Sequence, residues 1–233
     1  MKLKSRVRVG KLIVVLVVIL LAVATVVAIV LMSTVRNNTE PLENNCFKFE
    51  ISQGIVLKYM PNDQTCPLDV VIPSTINNKP VTTIGPSAFN NLKLKSVEIP
   101  TSVKTIRPYA FANNRLTSIK LGLNITTIEY RAFYHNQIRA IVIPKNVRSI
   151  GSESFRSNKI KELIINEGVE IIEGGAFMDN QIEKVIIPAS VQYIRSKAFS
   201  DNKINSVTIL GDSTRFNAKW TDIGFPAELK PDK

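Results

Sequence analysis

An Ala-Phe pair recurs at Ala88-Phe89, Ala110-Phe111, Ala132-Phe133, Ala176-Phe177 and Ala198-Phe199, with Ser154-Phe155 filling the single gap, and the spacing is 22 residues throughout. From the second cycle onward an Asn stands three positions after each Phe: Asn114, Asn136, Asn158, Asn180 and Asn202. Two residues on comes an aliphatic, at Leu116, Ile138, Ile160, Ile182 and Ile204. A further pair follows: Ile119 and Leu121, Ile141 and Ile143, Leu163 and Ile165, Val185 and Ile187, Val207 and Ile209. Agreement at so many positions over six cycles excludes chance. Each cycle is one supersecondary unit that buries its apolar side only against its neighbours, so the period demands a solenoid.

One cycle shows how the coil closes. Ile138-Arg-Ala-Ile141-Val-Ile143 ends in the alternation of a strand. Pro144 cannot donate a ladder hydrogen bond, so it ends the strand and turns the chain. Val147 and Ile150 point back inward on the return, Phe155 plugs the far side, and Asn158 bonds backbone groups that a tight bend leaves unpaired. Stacking places each residue over its equivalent, with neighbouring strands pairing about 4.8 Å apart in one parallel sheet. The expected fold is a leucine-rich-repeat solenoid, mainly parallel β with short helical turns.

These residues, L-x-x-L-x-L followed by Pro, V-x-x-I and A-F-x-x-N, resemble the BspA-like leucine-rich-repeat family over about residues 68 to 211. The segment Val71-Ile-Pro-Ser-Thr-Ile-Asn-Asn-Lys-Pro-Val81 resembles that family's first coil, longer by five residues than its successors. Gly122 and Asn166 depart from the pattern in place of the strand-ending Pro, and Ser154 in place of Ala. The resemblance implies a bacterial surface-exposed protein, with relatives acting as adhesins or binding modules. It implies no shared binding motif.

The N-terminus carries a different signal. Leu12 to Met32 is 21 residues without a charge, about 31 Å as a helix, which matches a bilayer's hydrocarbon core. Lys2, Lys4, Arg6, Arg8 and Lys11 precede it, and no acidic residue occurs before Glu40. The positive-inside rule keeps residues 1–11 in the cytoplasm and exports everything after residue 33. The expected protein is single-pass in the cell membrane, held through Leu12 to Met32 with its repeats extracellular. A cleaved signal peptide is the competing reading, since Ala22-Val23-Ala24 resembles a cleavage site. Against it, the apolar run continues for eight residues beyond Ala24.

Charge and cysteine usage follow from this topology. The chain has 30 basic and 19 acidic residues, a net of +11. Five of the basic residues lie before the apolar run, which leaves 25 beyond it and a net of +6, an ordinary solubility charge. No basic run stands out, which argues against nucleic acid while leaving anionic envelope polymers open. Cys46 and Cys66 both lie on the exported side, where a pair can oxidise. A bridge would close a loop of about 20 residues, worth about 3 kcal/mol in the chain-entropy model. Two free thiols are the alternative, and the compartment favours the bond.

The ends need covers. Residues 33–45 are polar and aperiodic, a stalk. Residues 46–67 form the N-terminal cap: Phe47, Phe49 and Ile51 alternate, Ser52-Gln-Gly54 turns, and Ile55, Leu57 and Tyr59 alternate again, a hairpin over the first coil. The repeats fill 68–211. Over 212–233, Phe216, Trp220 and Ile223 share one face of a short helix, with Asp212 or Ser213 as its N-cap.

Catalytic chemistry finds little to work with. The single histidine, His135, stands where other cycles carry Asn113, Ser157, Asp179 and Asp201, so it is a loop residue. No G-x-S-x-G elbow, P-loop or G-x-G-x-x-G occurs; Gly174-Gly175 is a bend. Neither cysteine has metal-ligand company. Glu129, Glu153, Glu170, Glu173 and Asp179 fall on outward columns, where charges are usually solvated. We expect no catalytic residues, no metal and no cofactor, with hydrolysis of a glycan at the acidic columns as the least favoured alternative.

The register also shows where a partner would sit. The outward position between the two inward strand residues runs Glu98, Lys120, Val142, Ile164, Ile186, Thr208. Val142, Ile164 and Ile186 form an apolar strip, and Arg139, Lys161 and Lys184 belong to its charged rim, the anatomy of a protein interface. The competing explanation is that β-branched residues suit strands whichever way they face. Tyr109, Tyr130, Tyr134 and Tyr193 lie outside the inward ladders, free either to stack on a ligand or to pack across the coil edge. The expected function is capture of an extracellular protein or glycan by the solenoid face. A structural envelope protein that associates with itself is the alternative.

Overall fold

Two sets of strands arise from every cycle, and they behave differently. The computed structural model describes residues 46–50, 53–60, 66–211 and 218–230. The basic tail, the apolar run Leu12 to Met32 and the stalk lie outside them. Among the described residues no helix is long and apolar enough to cross a membrane. Coils are numbered one to six by their phenylalanines, Phe89 to Phe199.

The return segments are only two residues long: Thr83–Ile84, Thr105–Ile106, Thr127–Ile128, Ser149–Ile150, Ile171–Ile172 and Tyr193–Ile194. Each pairs in parallel with the next, in unbroken register. The N-terminal hairpin joins them. Its strands β1 (Phe47–Glu50) and β2 (Ile55–Tyr59) pair antiparallel, and β2 adds to Thr83–Ile84 in parallel, which completes an eight-stranded sheet. The front strands, where one continuous sheet is expected, instead form three separate ladders. These are Asp69–Val71 with Ser96–Glu98 and Ser118–Lys120, Ala140–Ile143 with Glu162–Ile165, and Lys184–Ile187 with Ser206–Ile209. Both breaks follow a coil that lacks the strand-ending Pro: coil two ends at Gly122 and coil four at Asn166.

The bends are not helical turns, contrary to the expectation. Each coil carries a left-handed residue at two fixed places, one just before the Ala-Phe pair and one two positions after the Phe, and coil one adds Lys93. The first set runs Ser87, Tyr109, Arg131, Glu153, Gly175 and Lys197; the second runs Asn91, Asn113, His135, Ser157, Asp179 and Asp201. A left-handed residue cannot continue a right-handed helix, so the chain turns there. Between them, each Phe N–H from Phe89 to Phe177 donates to the following coil, as Phe111 does to Ala132 and Phe155 to Ala176, both at 2.8 Å, and that of Phe199 donates to Ile223 in the C-terminal cap.

The interior is a set of ladders. Rings stack from Tyr59 through Phe89, Phe111, Phe133, Phe155, Phe177 and Phe199 to Phe225, with centroids 4.8–5.5 Å apart. The expected role of the asparagines is met in full by Asn136. Its Oδ1 accepts from the Leu116 N–H at 3.1 Å, while Nδ2 donates to the carbonyls of Phe111, Phe133 and Tyr134 at 2.9, 3.2 and 3.3 Å. Asn158 and Asn180 repeat the pattern one and two coils on. Backbone groups stranded by two successive bends thus find one shared partner, which spares the cost of burying them unpaired.

The caps differ from their sequence reading in detail. Cys46 and Cys66 are bonded, their Cα atoms 5.8 Å apart. The Tyr59 hydroxyl donates to Pro67 O at 2.7 Å, and burial pushes its pKa up to about 12. The five extra residues of the first coil are taken up by a small hairpin of Thr75–Ile76 and Lys79–Pro80 that turns on Asn77 and Asn78, both with positive φ, as a two-residue hairpin turn requires. At the C-terminus the helix is a single turn, Trp220–Ile223, preceded by Lys219 at the N-cap. Asp212, Ser213 and Phe216 lie outside the described residues. Gly224 ends the turn at φ 101°, where a Cβ would stand 2.3 Å from Ser200 N. Phe225, which the helical spacing passed over, then closes the ring column.

Candidate functional site

Alternation along the front strands turns every second side chain outward. Val142, Ile164 and Ile186 are 52%, 55% and 56% exposed, while their neighbours Ile141, Ile143, Val185 and Ile187 are buried. Val142 lies beside Ile164 in one ladder, and Ile186 beside Thr208 in the next. Three aliphatics missed by the column reading enlarge the surface: Val71 on the first front strand, Leu123 after Gly122, and Leu210 where earlier cycles carry Pro. Leu123 and Leu210 stood in view as apolar residues in the turn columns beside the strands. Between Val71 and Val142 the two charges of the column, Glu98 and Lys120, pair with each other and leave no net charge.

The first break in the front sheet opens a groove. Backbone N–H groups of Thr117, Lys161 and Asn205 donate across the intact steps to Lys95, Arg139 and Glu183, whereas the Arg139 and Glu183 amides make no such bond across the breaks. Ile119 and Leu121, beside the first break, are only partly buried. With Leu123, Val142 and Pro144 they line a concavity of about 500 Å³. Its missing bonds and its apolar lining share one cause, the loss of strand pairing beside coil two. Arg139, Lys161 and Lys184 stand exposed around this surface, and none of them enters an ion pair among the described residues.

The tyrosines separate into two groups. Tyr109, Tyr130 and Tyr134 converge on Arg131, whose guanidinium lies 4.9 Å from the Tyr130 and Tyr134 ring centroids and 5.9 Å from that of Tyr109. Arg131 also donates to the Tyr109 hydroxyl at 3.3 Å and, through Nε and Nη2, to Glu153 at 3.1 and 2.9 Å. These three rings pack across the coil edge. Tyr193 stands apart beside Arg195 at 5.7 Å. Burial is the largest influence on Glu153 and alone would raise its carboxyl. The donors from Arg131 and Arg156 together outweigh it and hold the group below the usual 4.5.

The remaining acidic columns are also engaged. Glu129 pairs with Arg107, Glu170 with Arg148 and Glu173 with Arg195, each one coil apart, and Asp179 accepts from the Ser157 hydroxyl. Each of these carboxylates is thus held by an arginine or, for Asp179, by a hydroxyl. His135 is an exposed turn residue with a left-handed backbone. Among the described residues no group of three His, Cys, Asp or Glu side chains could hold a metal ion.

Comparison with known proteins agrees with this architecture. The family described as BspA type Leucine rich repeat region matches residues 82–226 in six copies. The leucine-rich-repeat protein of T. pallidum superposes with a TM-score of 0.58 at 19% identity, covering 79% of this chain and 90% of that one. The pneumococcal vaccine antigen PcpA gives 0.54 at 23% identity over 69% of this chain, which spans 44% of the antigen. At these identities the likeness is one of fold. No curated protein matches the chain.

Proposed function

The chain belongs to the BspA-type leucine-rich-repeat family, and from that premise we propose that it is a non-catalytic binding protein, anchored at the cell surface by Leu12 to Met32, that captures another protein on the front face of its solenoid. The observation that carries this reading is the strip Val142, Ile164 and Ile186. Three branched aliphatics, each more than half exposed, follow one another along the outward column, Val142 and Ile164 in one ladder and Ile186 in the next. Burying such side chains against a partner is worth about 25 cal/mol per Å² of apolar surface, and nothing in the fold uses them. Around them Arg139, Lys161 and Lys184 supply the polar rim that fixes register and speeds encounter. Glu129, Glu153, Glu170 and Glu173, the glutamates of the acidic columns, are already held by arginines, which supports binding without turnover.

Ile164→Glu tests the reading. The full-length variant keeps its melting temperature, because residue 164 points away from the core, and it loses the protein that the wild type retains from envelope or host-matrix extracts. Unaltered capture removes the strip from the site.

A further inference from the structure

The exposed charges of the solenoid are sorted by the fold, although no basic run occurs in the sequence. In coils one to four, the stretch from two to six residues after each Phe (91–95, 113–117, 135–139 and 157–161) carries Lys93, Lys95, Arg115, Arg139, Lys159 and Lys161 and not one carboxylate. The same stretch in coils five and six carries Asp179, Glu183 and Asp201 against Lys203 alone. All six cations of the first four coils are exposed. None enters any of the six ion pairs among the described residues, which join Arg107, Lys120, Arg131, Arg148, Arg156 and Arg195 to their acids elsewhere. Coils rise about 5 Å each, so these cations form a ridge about 15 Å long and two columns wide.

The ridge is concave over its first three coils. A groove of about 590 Å³ is lined there by Lys93, Arg115 and His135 together with the amides of Asn91, Asn113 and Gln137. Ammonium and guanidinium groups attract carboxylates or sulfates, and side-chain amides both donate to and accept from hydroxyls. That mixture fits one ligand class. Single-stranded nucleic acid is held by stacking bases on aromatic side chains, and the groove offers only His135. A membrane surface is flat and rewards an apolar face, and no large aliphatic stands exposed along this stretch.

We infer that the ridge of Lys93, Lys95, Arg115, Arg139, Lys159 and Lys161 is a binding site for a linear anionic polysaccharide, seated in the groove at coils one to three and running to coil four. The site adjoins the apolar strip without including it. Arg139 and Lys161 border both, while Lys93, Lys95, Arg115 and Lys159 belong to the ridge alone. The anionic group is a carboxylate or a sulfate, and the choice of probe tells them apart.

The experiment titrates the full-length chain in neutral detergent with heparin, polygalacturonate, neutral dextran, single-stranded DNA and micelles doped with phosphatidylglycerol, over a range of salt. The expected result is binding to heparin, to polygalacturonate or to both, with none to dextran and weaker binding to DNA and lipid. Heparin alone identifies sulfate as the preferred group; equal binding of polygalacturonate shows that carboxylate suffices. The quadruple variant K93Q/K95Q/R115Q/K159Q keeps its melting temperature, binds about 100-fold more weakly, and flattens the salt dependence by roughly one unit per cation removed. Lys203→Gln, at the acidic end, leaves polysaccharide binding within about twofold. Failure to bind either polysaccharide overturns the inference, as does equal affinity for DNA or lipid, or an undiminished affinity in the folded quadruple variant.

Discussion

The return side and the front side of the solenoid come from the same 22-residue cycle and end up with opposite properties. On the return side, two-residue strands pair without interruption across six coils and extend into the N-terminal hairpin. Their inward isoleucines, Ile84 through Ile194, are at most 1% exposed. On the front side the strands reach four residues, yet the ladder breaks twice, and the column that includes Val142, Ile164 and Ile186 is left to solvent. Each short return strand is followed three residues later by a left-handed bend, and that turn fixes its register. Longer strands depend on what ends them, and the breaks follow the two coils where Gly122 and Asn166 replace Pro. One side joins every coil to the next; the other joins them only in part and leaves aliphatic side chains in solvent.

The largest expected effect lies in the interior that both sides share. Phe133→Ala opens a hole in the ring column between Phe111 and Phe155, and we expect a loss of about 3–5 kcal/mol in chemical denaturation. A loss below about 1 kcal/mol would mean that the column is not what joins the two sides. A gain is expected at Ser154. It stands where the other coils carry Ala, is fully buried, and its Oγ has no hydrogen-bond partner. Ser154→Ala is expected to stabilise by about 1 kcal/mol, since a buried hydroxyl without a partner is a net cost.

Smaller still is the effect of charge at the coil edge. The folded pKa of Glu153 lies below its ordinary 4.5. Its contribution to stability is therefore complete above that value and is lost as pH falls through the folded one. Glu153→Gln is expected to lower stability at pH 7 and to flatten the acid limb of the stability curve below about pH 4.5. An unchanged acid limb would show that Arg131 and Arg156 do not hold this carboxylate in solution. The front strip marks the bottom of the scale, where Ile164→Glu is expected to change stability by less than about 0.5 kcal/mol.

Much of this was legible in the sequence because the period assigns every residue a column. The Phe and Asn ladders, the inward isoleucines and the exposure of Ile164 follow from counting by 22. What counting does not reveal is how columns meet. Arg131 and the three tyrosines around it come from coils two and three, and their contacts depend on left-handed bends at Tyr109 and Arg131 that no residue type there announces. The basic ridge escaped notice for a similar reason, since Lys93 and Arg115 are neighbours in space and 22 residues apart in the chain. The breaks in the front sheet were hidden as well. A register that predicts strands does not say whether adjacent strands are bonded, and Gly122 and Asn166 read as small departures when seen alone. Phe225 was passed over because a helical spacing through Phe216, Trp220 and Ile223 claimed the segment, while the helix is only four residues long.

Residue-resolved amide hydrogen exchange of the native chain tests most directly whether the front sheet is open where the return sheet is closed. The account predicts slow exchange at Arg107, Glu129, Gly151, Glu173 and Arg195, whose N–H groups donate along the return sheet, and at Thr117, Lys161 and Asn205 on the intact front steps. It predicts fast exchange at Arg139 and Glu183, the amides that face the two breaks. Equal protection of Arg139, Lys161, Glu183 and Asn205 would contradict it, because the front strands would then form one continuous sheet.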